Sequence, residues 1–236
     1  FTLNPSVNSA GMGNVGIAHA DVKNVFHNPA FAGLNKRHQE ISYVDWLPNL
    51  TDDMGYQSIL YTSDMGWSSE IFYFNYGTQV EADQYGVVLG DFESSSYRVS
   101  GGYGFEIGDW MFGARLNLYN HNFIDSFSID MNYGFDIGAY KKFGNTSLGL
   151  VLKDVGGETE FLDQKLNLPM SVGVGIGHSF GNLSLASDVK FYEEYNSIGI
   201  GGQYDLGIAS LKLGYYTESE FDVDYLTLGG GIDAGI

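Results

Sequence analysis

Most of the chain after residue 38 alternates between apolar residues and polar or small ones. Val172, Val174 and Ile176 alternate with glycines, and Leu183 and Leu185 alternate with Ser and Ala. A period of two residues indicates a strand with one apolar face. We therefore predict twelve strands, at residues 39–46, 54–63, 67–76, 96–106, 110–119, 127–141, 147–154, 169–180, 183–191, 197–205, 208–216 and 225–233.

The lengths of these strands and of their connections favour a membrane protein. Most predicted strands have about 8–12 residues, close to the ~9–11 of tilted membrane strands, whereas globular strands average ~5–6. Tight turns alternate along the chain with longer connections at 47–53, 77–95, 120–126, 155–168, 192–196 and 217–224. The sequence thus predicts an all-β, antiparallel up-and-down transmembrane β-barrel with short periplasmic turns and long outer loops. A separate strand at 86–92 would break this alternation.

The charge of the chain is concentrated in the longer connections. There are 29 acidic and 11 basic residues, for a net charge of −18, which excludes ordinary nucleic-acid binding. The longer connections contain Lys165 as their one basic residue. Their acidic residues are Asp52, Asp53, Glu81, Asp83, Asp91, Glu93, Asp125, Glu158, Glu160, Asp163, Glu193, Glu194, Glu218, Glu220, Asp222 and Asp224. We expect an acidic rim, represented by the last four, that is either simply solvated or binds divalent cations or a basic partner.

The strand face opposite the apolar one is rich in Gly and Ser and carries charges of both signs. In a barrel this face lines the lumen, where opposite charges can pair and glycines leave room for a plug or a ligand. The candidate lumen-facing residues are Arg98, Arg115, Asp136, Lys153, Asp188, Lys190 and Lys212. A soluble β-sandwich binding module, which would turn this face to water, is an alternative.

The residues give no indication of catalysis or of a cofactor. The chain has no Cys, and its five His do not occur at metal-ligand spacing. Gly11, Gly13 and Gly16 fit a dinucleotide-binding pattern, but Pro5 precedes them and no strand–helix–strand unit follows. The carboxylate pairs lie in acidic loops without an apolar pocket. We predict no catalytic residue, no metal and no cofactor, and therefore not an enzyme.

The N-terminal part carries a family resemblance. Residues 9–13 (Ser-Ala-Gly-Met-Gly), 18–21 (Ala-His-Ala-Asp) and 28–30 (Asn-Pro-Ala) resemble the N-terminal signature of the PorV/PorQ family, which is related to FadL-like outer-membrane barrels. Residues 135–140 (Phe-Asp-Ile-Gly-Ala-Tyr) and 147–156 resemble two later strands of that family. The matches keep the family's order over nearly the whole chain.

The resemblance implies a barrel of about 14 strands with an N-terminal plug, here residues 1–38, followed by the barrel at 39–236. Asn28, Pro29 and Ala30 would form the plug motif. It also implies a non-enzymatic component of type IX secretion in the bacterial outer membrane. Its partners would be outer-membrane lipid and secretion-system proteins or secreted cargo. FadL-like relatives instead move hydrophobic small molecules, which is the alternative function.

The two ends of the sequence bear on its completeness, and the C-terminal end departs from the family. It opens at Phe1 without Met, which indicates a removed signal peptide or a fragment. The family's last two strands have no counterpart after residues 229–232. Either the barrel closes with fewer strands or the chain is truncated. We favour truncation, which would leave two unpaired strand edges.

Overall fold

Twelve antiparallel strands form a single sheet in which every strand pairs with the next in its order. The computed structural model describes residues 3–47, 51, 53–124, 127–161, 164–219 and 223–232. The sheet contains β1 (His38–Asp45), β2 (Gly55–Thr62), β3 (Trp67–Ala82), β4 (Val88–Ile107), β5 (Trp110–Ile124), β6 (Phe127–Phe143), β7 (Thr146–Gly156), β10 (Ser171–Phe180), β11 (Leu183–Tyr192), β12 (Asn196–Asp205), β13 (Ala209–Glu218) and β14 (Val223–Ile232). A separate hairpin joins β8 (Glu158–Phe161) to β9 (Gln164–Asn167). The predicted up-and-down antiparallel architecture and its twelve strands are confirmed.

The sheet is not closed, because β1 and β14 form its two edges and do not pair with each other among the described residues. One end of the sheet has tight turns such as 108–109, 144–145 and 181–182, and we call it the tight-turn end. The opposite end, with the connections between β1 and β2 and between β7 and β10, is the long-loop end. A single sheet of this kind differs from the two packed sheets of the soluble alternative.

The two faces of the sheet differ as the alternation predicts. On β2 and β3, Ile59 and Ile71 are exposed on the outer face, while Ser58 and Glu70 are buried on the inner face. Exposed rings occur on the outer face towards both ends, where they flank an apolar band as in membrane barrels. Those towards the tight-turn end are Trp67, Phe105, Trp110, Phe143 and Phe180, and those towards the long-loop end are Tyr43, Tyr73, Tyr97, Tyr133 and Phe191.

Three predicted connections are wrong in detail. The connection predicted at 120–126 is mostly strand, since β5 extends to Ile124. Residues 77–95 are not a loop, since β3 and β4 extend through most of them and residues 88–92 continue β4. Three acidic residues expected in that loop, Glu81, Asp91 and Glu93, therefore lie on strands. The connection at 155–168 contains the hairpin of β8 and β9. The extended parts of β3 and β4 have polar residues on both faces, so the period of two residues is absent there.

The N-terminal segment (residues 3–37) lies against the inner face of the sheet. It contains the short helix α1 (Val7–Ala10) and two 3-10 turns at Val22–Asn24 and Pro29–Leu34. Its apolar side chains, including Met12, Ile17 and Phe31, are fully buried. In the described part of the chain, no helix is both long and apolar enough to cross a bilayer.

Candidate functional site

Inner-face glycines hold the N-terminal segment at backbone distance from the sheet. A methyl group added to Gly113 on β5 would meet the carbonyl group of Pro29, and one added to Gly201 on β12 would meet the carbonyl oxygen of Met12. Any larger side chain at these positions would push the segment away from the strands. The abundance of glycine therefore has a specific role, which is to create the space that the segment fills. The other inner-face glycines in such contact are Gly104, Gly138, Gly149, Gly175, Gly199 and Gly214.

Polar side chains of the strands fix the backbone of the segment. The Asp188 carboxylate on β11 accepts hydrogen bonds from the backbone N–H groups of Gly16 at 2.6 Å and Ile17 at 2.9 Å. Ser147 Oγ on β7 donates to the carbonyl oxygen of Ala18 at 2.8 Å, and Lys190 Nζ donates to that of Asn14 at 3.3 Å. These bonds satisfy backbone groups that would otherwise be buried without partners.

The Asn28-Pro29-Ala30 motif forms the start of the second 3-10 turn. Asn28 Oδ1 accepts from the Ala30 N–H at 3.1 Å, while Asn28 Nδ2 donates to the carbonyl oxygens of Ile17 at 2.9 Å and Ala139 at 3.2 Å. Pro29 occupies the first turn, where its missing N–H is not needed. One side chain thus caps a turn, joins two parts of the segment and contacts β6.

Phe26 of the segment is surrounded by cations of the strands. The guanidinium carbon of Arg98 lies 4.6 Å from the Phe26 ring centroid, that of Arg115 lies 5.5 Å away, and Lys153 Nζ lies 3.6 Å away. Glu70 forms ion pairs with both arginines, and all three of these charged side chains are only 2% exposed. The aromatic face and the shared carboxylate together compensate the buried positive charge.

The segment is also tied internally through His27. Its Nε2 lies 2.8 Å from Ser9 Oγ and 3.2 Å from Asn4 Oδ1. Complete burial lowers the pKa of His27 well below its usual value, and the nearby Lys190 and Lys153 lower it further. A neutral imidazole is therefore the form that this packing favours.

Beside the segment, three neighbouring cavities follow the gap between β1 and β14. The upper cavity, at the long-loop end, has a volume of about 440 Å³ and an aromatic lining that includes Trp46, Tyr56, Tyr216 and Tyr225. The middle cavity has about 710 Å³ and shares Ala10 and Thr227 with the upper one. It lies against α1 and the strands β1 and β14, and its lining includes Val7 and Leu228.

The lower cavity, at the tight-turn end, has a volume of about 570 Å³. It shares Asn8, Lys23, His38 and Lys212 with the middle cavity. Its lining is mainly polar and charged, with the basic residues Lys36 and Arg37 in addition to the shared lysines. The three cavities thus change from aromatic at the long-loop end to basic at the tight-turn end.

All seven residues expected to face the lumen lie on the inner face of the sheet, but they do not form one site. Arg98, Arg115 and Lys153 surround Phe26. Asp136 accepts the backbone N–H of Asp154 at 2.9 Å, Asp188 and Lys190 hold the segment, and Lys212 lines two cavities.

The acidic rim is described only in part. Glu218 accepts a hydrogen bond from the Tyr216 hydroxyl at 2.8 Å, and Asp224 is exposed at the start of β14. Glu220 and Asp222 lie outside the described residues. Within the described residues, no group of three or more His, Asp or Glu side chains is arranged to hold a metal ion.

Two elements of this interior were absent from the sequence prediction. Glu70, which pairs with both arginines, was not among the predicted lumen residues, and the aromatic inner-face cluster of Tyr56, Phe72 and Phe74 was not expected on a polar face. Glu70 follows the buried Ser68 by two residues on β3, so the two-residue period places both side chains on the inner face. Because β3 has aromatic residues on both faces, its sequence does not show which face is the inner one.

The fold is similar to that of solved outer-membrane transporters. The toluene transporter TbuX of Ralstonia pickettii matches with a TM-score of 0.66 at 15% identity, over 99% of this chain and 90% of that one. The toluene transporter TodX of P. putida gives 0.62 at 14% identity over 96% and 87% of the two chains. A FadL homologue of Pseudomonas aeruginosa gives 0.64 at 12% identity over 98% and 86%.

No protein-family model matches the chain, and no curated protein matches it either. The fold is similar to that of these outer-membrane transporters, in agreement with the fold predicted from the sequence. The narrower resemblance to PorV/PorQ finds no counterpart among these matches.

Proposed function

We propose that this chain is a non-enzymatic outer-membrane channel for small hydrophobic molecules, with the N-terminal segment acting as its plug. The observation that carries the proposal is the row of three cavities beside the segment. They succeed one another from the long-loop end to the tight-turn end and share lining residues at each junction. A molecule that entered from the long-loop end would therefore have a route along the plug.

The upper cavity has the chemistry of an entry site for an apolar molecule. Its volume of about 440 Å³ lies within the ~300–1,000 Å³ of small-molecule sites. Trp46 and Tyr56 line it together with Leu3, and Trp46 also packs on Phe74, with ring centroids 6.5 Å apart. Aromatic walls with few charged groups favour apolar ligands over ions.

The structural neighbours support the same function, since two of them are described as toluene transporters. The long-loop end would face the exterior and the tight-turn end the periplasm, as in other outer-membrane barrels. The similarity to these transporters concerns the fold alone. The chemical class of the transported molecule is therefore inferred from the cavities of this chain.

The test uses purified protein in lipid vesicles and measures the uptake of radiolabelled toluene. Replacing Ala10, which lines both the upper and the middle cavity, by Trp should block their junction and reduce uptake towards that of empty vesicles. Ala114→Trp is the matched control, because Ala114 is exposed on the outer face of β5, away from all three cavities. Uptake by the wild-type protein no faster than by empty vesicles would refute the proposal. Equal uptake by the two variants would exclude this route.

A second candidate is a role in type IX secretion, as the sequence resemblance implies. The acidic residues at the long-loop end favour it, since a partner protein outside the cell would meet them first. Deletion of the gene should then impair the export and surface attachment of secreted cargo. Unchanged export in the deletion strain would remove this candidate.

A further inference from the structure

The strands β3 and β4 extend beyond their neighbours as a free two-stranded ribbon, which we call the acidic ribbon (residues 78–93). The pairing of β2 with β3 ends at Gly55 and Asn75, and the pairing of β4 with β5 ends at Ser95 and Asn122. The pairing of β3 with β4 nevertheless continues from Thr78–Glu93 to Ala82–Val88. Within the described residues, both outer edges of the ribbon therefore have no neighbouring strand.

The base and the tip of the ribbon are held in defined conformations. Gly77 adopts a positive φ of 73° at a register shift, and Asp53 Oδ2 accepts the Thr78 N–H at 2.7 Å. That hydrogen bond lowers the pKa of Asp53. At the tip, Asp83 Oδ1 accepts from the N–H groups of Tyr85 at 2.8 Å and Val87 at 2.9 Å. The projection is thus a built feature with a bulge at its base and a closed turn at its tip.

The side chains of the ribbon combine apolar surface with negative charge. Five of its large apolar side chains are between 58% and 83% exposed, namely Val80, Tyr85, Val87, Val88 and Leu89, while Phe92 is partly buried. Its charged residues are Glu81, Asp83, Asp91 and Glu93, and it contains no Lys or Arg. Exposed strand edges next to apolar side chains invite pairing with another chain, and an isolated two-stranded hairpin is only marginally stable in water.

We propose that the acidic ribbon is a docking surface for an extended, basic segment of a partner protein, which adds to it as a further strand. The free edges supply backbone hydrogen bonds, the apolar side chains supply contact area, and the carboxylates select Lys and Arg. A second copy of this chain is disfavoured because two ribbons would bring like charges together. This role is separate from transport along the plug, since none of the three cavities is lined by the ribbon.

The test measures the binding of a fluorescent synthetic peptide of alternating Lys and Val to the protein in lipid nanodiscs. A triple variant, Glu81→Gln with Asp91→Asn and Glu93→Gln, removes three charges from the ribbon. The control variant, Glu193→Gln with Glu194→Gln and Asp224→Asn, removes three acidic groups from other connections at the long-loop end. We expect roughly a tenfold loss of affinity in the ribbon variant, because each exposed charge pair contributes a modest share, and at most about a twofold loss in the control.

A further variant keeps the charges elsewhere but removes the ribbon, with residues 79–92 replaced by an Asn-Gly turn. It should abolish peptide binding while toluene uptake remains unchanged. Equal affinity losses in the two triple variants, equal binding of a Glu–Val peptide, or equal peptide binding to empty nanodiscs would each overturn the proposal. Failure of the wild-type protein to bind the Lys–Val peptide would do so as well. Each of these outcomes is independent of whether the protein transports toluene.

Discussion

The N-terminal segment packs against the sheet in two different ways. Against β5 to β7 and β10 to β13 it lies on glycines and is bonded by buried polar groups such as Asp188 and Ser147. Towards β1 and β14 it leaves three cavities, whose linings include Trp46 and Lys212. Glycine alone does not explain the difference, because Gly11 also lies against the backbone of Gly229 on β14. The cavities instead follow the gap between the unpaired edges β1 and β14. The strands β5 to β7 and β10 to β13 thus hold the segment in place, whereas the side towards β1 and β14 leaves connected cavities.

The largest effect in this comparison is expected at Glu70 on β3, which forms ion pairs with Arg98 on β4 and with Arg115 on β5 of the packed side. Glu70→Ala removes the carboxylate that forms ion pairs with both buried arginines, Arg98 and Arg115. The free energy of unfolding should fall by about 3–5 kcal/mol. Guanidinium titration in lipid vesicles measures this, with Glu40→Ala, on the gap side, as the control. Equal losses in the two variants would show that the packed side is not the stabilising one.

Gly113→Val should have the next largest effect, because the added side chain would meet the carbonyl group of Pro29. Overpacking of this kind costs about 1–3 kcal/mol. The N-terminal segment should also become more sensitive to added protease. Gly101→Val on the exposed face of β4, where a methyl group meets nothing within 4 Å, is the matched control and should leave both measurements unchanged.

Phe26→Leu isolates the contribution of the aromatic ring among three cations. The loss of its cation–π contacts should cost about 1–2 kcal/mol beyond that of a similar change at an exposed ring. Phe105→Leu, on the outer face, provides that comparison. A Phe26→Leu variant as stable as Phe105→Leu would mean that the cations gain nothing from the ring.

The smallest effect is expected on the cavity side. Val7 is half exposed and lines the middle cavity, so Val7→Ala should change the free energy of unfolding by no more than about 0.5 kcal/mol. The same substitution should instead alter the uptake of toluene. A large loss of stability would show that this side is packed more tightly than its cavities indicate.

The sequence predicted the elements that carry a clear two-residue period. On β10, Val172 and Val174 alternate with glycines, and both the strand and its inner face follow from that pattern. On the ribbon, Glu81 and Asp91 lie on two paired strands whose side chains are mostly exposed on both faces, so the sequence shows no alternation there. The two-residue alternation thus predicts strands that have one apolar and one polar surrounding, and it misses strands whose two faces have the same surroundings.

The contacts of the N-terminal segment and the cavities are harder to predict from the sequence than the strands are. The residues Asn28-Pro29-Ala30 stand out in the sequence, but the contact of Asn28 with Ala139 joins residues 111 positions apart. The cavities depend on which inner side chains come to face one another across the gap, and β1 and β14 lie at opposite ends of the chain. No local pattern contains that information.

The bonds of the N-terminal segment also impose an order on folding. Gly13 donates to Thr227 Oγ1 at 2.9 Å, a contact that spans 214 positions, and Asn14 reaches the Tyr225 hydroxyl over 211. Contacts between residues so far apart in sequence have a high entropic cost of loop closure, and they therefore form late in folding. The N-terminal segment therefore settles late, and the strands must already be aligned when it does. A segment bound in this way is consequently a record that the sheet has been assembled through β14.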